Sequence, residues 1–135
     1  MNTQGVPILI ARILLALMFV LAGFSKFAGL EGTAGYIASK GLPMPQVLAF
    51  ATALLEVVGG VMLIVGWQAR WAALALVAFT ALASVIFHNY WSLPADKQMI
   101  DQLMFMKNVS IVGGLLMVFG FGAGSLSLDG RRTAA

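Results

Sequence analysis

Four long apolar runs constrain this sequence more than any other feature. They cover residues 6–24, 47–66, 71–89 and 103–121, and each is close to the roughly 20 residues that a helix needs to cross a bilayer. Because 61% of the chain is hydrophobic and 10% is charged, a water-soluble fold of this size could not bury its apolar surface. The sequence predicts an all-α integral membrane protein, a four-helix bundle with transmembrane helices over about 6–26, 46–66, 70–90 and 100–122.

The links between the runs predict how the helices are joined within one membrane domain, residues 1–135. Gly41 suits the end of one helix, and Pro45 suits the first turn of the next. The link at 67–70 is so short that the second and third helices must form an antiparallel hairpin. The connection at 27–44 leaves two alternatives open, a short interfacial helix over one mouth of the bundle or a mobile loop, because its glycines disfavour a helix.

Charge and composition exclude several classes of protein. The net charge is +3, but the 8 Lys and Arg residues never cluster into the basic stripe that nucleic acid requires. The chain has no cysteine, and its single histidine cannot form a haem-ligand pair or a zinc site alone. We therefore expect no nucleic-acid partner, no metal and no covalently bound cofactor, so that any electrons must be carried by a bound molecule or a partner.

The cations outside the apolar runs predict the orientation of the chain. Arg70, Arg131 and Arg132 fall on the side of both termini, against Lys40 and Lys97 on the opposite side. Under the positive-inside rule, this asymmetry predicts a multi-pass protein with both termini in the cytoplasm. Arg12 interrupts the first apolar run, so we expect that run to be a retained helix and not a cleaved signal peptide.

Ionisable residues inside the predicted spans are costly in lipid, so each should face the bundle interior and have a partner. With about 1.5 Å of rise per residue, Glu56 falls near the midplane, Arg12 about 6 Å toward the termini and Lys107 about 6 Å toward the outer side. An Arg12–Glu56 ion pair could serve structure alone, by fixing how the helices align. Lys107 and Asn108 exceed what one acid can satisfy, which favours a binding role.

A second polar layer lies nearer the outer mouth and holds Lys26, His88 and Asn89. Lys26 could simply extend its ammonium to water, and His88 could be an ordinary interfacial residue. One acid against three permanent cations predicts a net positive interior, suited to an anion or to a ligand with carbonyl oxygens.

Taken together, these positions resemble the DoxX family of small bacterial four-helix membrane proteins. The resemblance covers nearly the whole chain and rests on the following segments, read in order: Ala11-Arg12, Gly23-Phe24-Ser25-Lys26, Glu56-Val57-Val58-Gly59-Gly60, Gly66, Arg70, His88, Lys107-Asn108, Gly113-Gly114 and Gly122-Ala123-Gly124-Ser125-Leu126-Ser127-Leu128-Asp129.

The resemblance implies a bacterial inner-membrane protein, often an oxidoreductase subunit that passes electrons to quinone and works with a peripheral redox partner. It also implies six candidate site residues. Here we assign Glu56 and His88 to catalysis, and we assign four residues to ligand binding: Arg12, Lys26, Lys107 and Asn108.

Two functional hypotheses follow, and the sequence leaves open whether the chain is itself an enzyme. The first is a quinone-linked oxidoreductase subunit, in which Lys107, His88 or Asn108 hydrogen-bonds a quinone carbonyl while Glu56 or His88 moves the proton. The second is a non-enzymatic component of the bilayer: a scaffold, a homo-oligomer, or a binder or carrier of a small anionic or lipidic molecule.

Overall fold

The computed structural model describes residues 4–133, and this part of the chain forms six α-helices. They are α1 (Gly5–Ala28), α2 (Leu30–Ser39), α3 (Pro45–Val65), α4 (Ala69–Phe87), α5 (Gln98–Phe121) and α6 (Leu128–Thr133). Within the described residues, the four helices that are long and apolar enough to cross a membrane are α1, α3, α4 and α5. The predicted all-α membrane bundle is confirmed.

The predicted connections are also found, and one open alternative is decided. Met44 and Pro45 begin α3, and Gly66 ends it with a φ of 68° that glycine adopts without strain. Only Gly66, Trp67 and Gln68 separate α3 from α4, as expected for a tight hairpin. The 27–44 connection contains a helix, α2, whose buried Ala34 and Ile37 pack on Ala49 at the start of α3.

Glycines bring α1 and α3 into close contact. A methyl group added at Gly23 would lie 2.6 Å from Val57 Cγ2, and one at Gly60 would lie 2.6 Å from Val20 Cγ2. Such close approach of backbones is how helices pack strongly inside a membrane, where the surrounding lipid weakens the hydrophobic drive to associate. The pairing also sets α1 and α3 antiparallel, with Gly23 beside the α3 backbone at Ala53.

Three of the four long helices bury a face that contains polar residues, and the fourth does not. Arg12, Ala16, Phe19 and Gly23 are the buried stripe of α1 beyond Gly5. The Glu56 face of α3 is buried through its alanines and glycines, and Thr80 and Ser84 are buried on α4. In α5 the fully buried residues are Leu115 and Val118, so α5 presents an apolar face to the bundle.

Residues 122–133, which we call the closing segment, close the end of the bundle at which α1 begins and α5 ends. Asp129 accepts hydrogen bonds from the backbone N–H groups of Gln68 and Ala69, both at 2.9 Å, and so caps the start of α4. Its own N–H donates to Gly66 O at 2.8 Å. The closing segment is therefore fixed onto the α3–α4 turn.

Candidate functional site

Lys26 and Glu56 form an ion pair between α1 and α3, in which Glu56 is buried and Lys26 is partly exposed. Lys26 Nζ lies 2.6 Å from Glu56 Oε2, and the exposed fractions of the two side chains are 28% and 6%. The pair forms because helical side chains lean toward the N-terminus of their own helix. In antiparallel helices this direction brings the Lys26 ammonium and the Glu56 carboxylate toward each other.

This pair lines a cavity of about 240 Å³ between α1, α2, α3, α4 and α5. Four of the six predicted site residues line it, namely Lys26, Glu56, His88 and Asn108. The rest of its wall is largely apolar, from Met18, Phe19, Ile37, Phe79, Ala83 and Phe87. An apolar cavity with a few convergent polar groups is the usual form of a small-molecule site.

His88 is held at the cavity by a residue that the sequence analysis missed. Its Nδ1 lies 2.9 Å from Asp101 Oδ1, which joins the end of α4 to the first turn of α5. An ionised carboxylate can only accept, so Nδ1 carries the proton and Nε2 remains an acceptor in the neutral ring. The signal for Asp101 was its position: it is the acidic residue in the first turn of a predicted span, 13 residues beyond the only histidine.

Hydroxyl groups complete the polar lining. The Tyr36 hydroxyl lies 3.5 Å from Phe87 O, and the pKa of Tyr36 is raised because partial burial disfavours the phenolate and Asp101 adds a negative charge nearby. Thr52 donates to Leu48 O at 2.8 Å. Thr80 also lines the cavity, yet its buried hydroxyl has no hydrogen-bond partner among residues 4–133.

The predicted Arg12–Glu56 ion pair is wrong. The Arg12 side chain leans toward the N-terminus of α1, away from Glu56, and meets the C-terminal end of α3. There it donates to Leu63 O at 2.9 Å and Ile64 O at 3.4 Å, and to Leu126 O at 2.6 Å. Arg12 does not line the cavity, and its place in ligand binding remains a prediction.

The predicted inward direction of Lys107 is also wrong. Its side chain is exposed on α5 and lies 3.3 Å from Met104 Sδ, which belongs to the same helix. The buried residues of α5, Leu115 and Val118, lie two to three turns beyond Lys107, and the half of α5 that carries Lys107 has no buried residue. Its assignment to ligand binding likewise remains a prediction, whereas its neighbour Asn108 does line the cavity.

The charge of the cavity differs from the expected excess of cations. With Arg12 bonded to backbone carbonyls and Lys107 outside, one ammonium faces one carboxylate, and His88 faces Asp101. The lining is therefore balanced in charge. A balanced, largely apolar wall suits an uncharged molecule with hydrogen-bonding oxygens better than an anion.

A second, larger cavity of about 460 Å³ lies at the end that carries the termini. It is lined by Arg70, Trp71 and parts of the closing segment, and none of the six predicted site residues lines it. Its carboxylate, Asp129, already caps α4. This cavity is a groove in the closure of the bundle and carries less chemistry than the smaller one.

Comparison with known proteins agrees with the fold. The DoxX family model matches residues 7–89. The chain is 38% identical to inner membrane protein YphA of Escherichia coli, over 95% of this chain and 91% of that protein. It is 36% identical to inner membrane protein YqjF of the same organism, over 93% and 92%.

A more distant relative is the ER-derived vesicles protein ERV29 of Saccharomyces cerevisiae, which is 27% identical over 97% of this chain but only 35% of its own length. No solved structure matches the chain at a significant level. The family model spans more than half of the sequence, and both bacterial relatives align over nearly their full length. The protein belongs to the DoxX family.

Proposed function

We propose that this protein is an inner-membrane oxidoreductase subunit whose cavity binds the headgroup of a quinone. The observation that carries the proposal is the buried Lys26–Glu56 pair, 2.6 Å apart on the wall of a largely apolar cavity. Ionisable groups at membrane depth are costly, so their presence in a cavity favours a functional role over a purely structural one.

The size and lining of the cavity support a headgroup of this class. About 240 Å³ equals the space of roughly eight water molecules at about 30 Å³ each, enough for a single carbonyl-bearing ring and too small for a polyprenyl tail. Lys26 and Asn108 supply donors for carbonyl oxygens. When bound, a quinone supplies the capacity to take up two electrons, which these side chains cannot hold, together with two protons.

The protein's own residues supply positions for protons. Glu56 is 6% exposed and keeps the Lys26 ammonium directed at the cavity. Asp101 fixes His88 with Nδ1 protonated, which leaves Nε2 able to accept a proton. The Asp101 side chain is 32% exposed, against 6% for Glu56. His88 and Asp101 therefore form a route for protons between the cavity and the outside of the bundle. Electrons would come from a peripheral redox partner.

Binding of a short-chain ubiquinone or menaquinone to purified protein in detergent tests the proposal. We expect saturable binding that Lys26→Met weakens by about tenfold or more, because a hydrogen bond from a charged group contributes about 1.5–3 kcal/mol. Lys97→Met removes an exposed cation away from the cavity and should leave the affinity unchanged. Absence of saturable binding by the wild-type protein would exclude the proposal.

A second candidate is a non-enzymatic binder or carrier of a lipidic molecule. The predominance of apolar side chains in the cavity wall favours it, as does the absence of cysteine from the chain. Two results together would favour this candidate. The protein would bind a quinone and a redox-inert analogue equally tightly, and native membranes would show no quinone reduction. The charge balance of the cavity disfavours an anionic ligand.

A further inference from the structure

Thr80 departs from the usual behaviour of a buried hydroxyl in a helix. Thr and Ser side chains inside helices normally donate to a carbonyl three or four residues earlier. Ser84 does so, onto Thr80 O at 2.7 Å, and Thr52 does so, onto Leu48 O at 2.8 Å. Thr80 is 4% exposed, and its hydroxyl has no partner in the described part of the chain.

An unpaired buried hydroxyl is unfavourable, and buried polar groups nearly always have partners. Thr80 is among the residues that line the cavity that also holds Lys26 and Asn108. The hydroxyl can donate and accept, unlike the ammonium of Lys26.

We infer that Thr80 is the residue that selects the ligand, by hydrogen-bonding an oxygen of the bound headgroup. This inference rests on the proposed function and names the recognised group as a carbonyl or hydroxyl oxygen on a compact, otherwise apolar ring. A ring without that oxygen would leave the hydroxyl buried and unpaired. A site built around such a hydrogen bond discriminates strongly against analogues that lack it.

Two isosteric substitutions on the wall of the same cavity test the inference. Thr80→Val removes the unpaired hydroxyl, and Thr52→Val removes one that is already bonded within its own helix. Without ligand, we expect Thr80→Val to unfold no more easily than the wild type, whereas Thr52→Val unfolds more easily. With a short-chain ubiquinone, we expect Thr80→Val to bind about tenfold more weakly than the wild type.

Thr80→Ser keeps the hydroxyl and should restore most of the affinity. If the wild type binds the quinone and Thr80→Val binds it equally well, the inference is overturned and the proposed function stands. If the wild type does not bind at all, both are overturned. If Thr80→Val is destabilised without ligand as much as Thr52→Val, the hydroxyl is satisfied within the fold, for example by an ordered water, and the inference is again overturned.

Discussion

Replacing Arg12 with methionine should destabilise the protein by about 2–4 kcal/mol. Arg12 is 1% exposed and donates two short hydrogen bonds, to Leu63 O at 2.9 Å and Leu126 O at 2.6 Å. At about 1.5–3 kcal/mol for each bond from a charged donor, their loss costs about 3–6 kcal/mol. The Nε of Arg12 is buried without a partner, and removing it returns about 1–3 kcal/mol, so that the midpoints of the two terms differ by about 2.5 kcal/mol, within the stated range.

The free energy of unfolding in mixed micelles, measured by titration with a denaturing detergent, checks this value. Arg70→Met is the matched control, because Arg70 is exposed at the same end of the bundle and such surface changes usually stay within about 0.5 kcal/mol. Equal losses for the two variants would refute the argument that the guanidinium joins α1 to the closing segment. If the losses in the free energy of unfolding from Arg12→Met and Glu56→Gln are not additive in the double mutant, Arg12 and Glu56 interact after all.

Three further predictions concern the cavity and the packing around it. In a double-mutant cycle, Lys26→Met and Glu56→Gln should couple by about 1–3 kcal/mol in the free energy of unfolding, since they remove one buried ion pair. The ¹⁵N NMR spectrum of His88, the single histidine, should show the Nδ1-protonated tautomer, and Asp101→Asn should remove that preference. Gly23→Ala should destabilise the protein by about 1–3 kcal/mol, because the added methyl would lie 2.8 Å from a backbone oxygen of α3.

Each of these predictions has a control and a contradicting result. As a control, the effects of Lys97→Met and Glu56→Gln on the free energy of unfolding should be additive. If the effects of Lys26→Met and Glu56→Gln are additive as well, the Lys26–Glu56 pair does not contribute to stability. Asp96→Asn should leave the histidine spectrum unchanged; an identical spectrum in Asp101→Asn would show that Asp101 does not set the tautomer. Gly113→Ala should be neutral or stabilising, because no atom lies within 4 Å of the added methyl. Equal effects at both glycines would contradict the close α1–α3 packing.

The four spans and their hairpin could be predicted because lipid imposes a length and a polarity on every crossing helix. The observed helices differ from the predicted spans mostly at their ends, as in α5, which begins at Gln98. The polar first turns of α5 contain Asp101 and carry little hydropathy signal. Asp101 falls within the predicted span 100–122, but no local pattern shows that the first turn of α5 meets His88 at the end of α4.

The partner of Glu56 could not be found from depth alone. The membrane depths calculated from the centres of the predicted spans place Arg12 and Lys107 closer to the level of Glu56 than they place Lys26. Side chains of this length reach several ångströms along the helix, and they preferentially point toward its N-terminus. The offset between α1 and α3 also decides the pairing. Gly23 lies beside Ala53 and Val57. Lys26 is therefore about one turn from Glu56, and Arg12 is level with the end of α3.

The direction of Lys107 could not be predicted for a different reason. Apolar residues occur on every face of α5. Leu103, Met106 and Leu116 are exposed, whereas Leu115 is buried. Such a helix has no apolar stripe that identifies its packed face. The sequence of α5 therefore does not distinguish Asn108, which lines the cavity, from Lys107, which is exposed.

The bond between Arg12 and Leu126 has a consequence for how the protein is made. The two residues lie 114 positions apart, so at about 5–20 residues per second a ribosome needs roughly 6–23 seconds to reach Leu126 after Arg12. The carbonyls of Leu63 and Ile64 are synthesised sooner, 51 and 52 positions after Arg12. The charge in the first helix therefore acquires its backbone partners in two stages, because the Leu126 carbonyl can accept from Arg12 only after that segment has been synthesised.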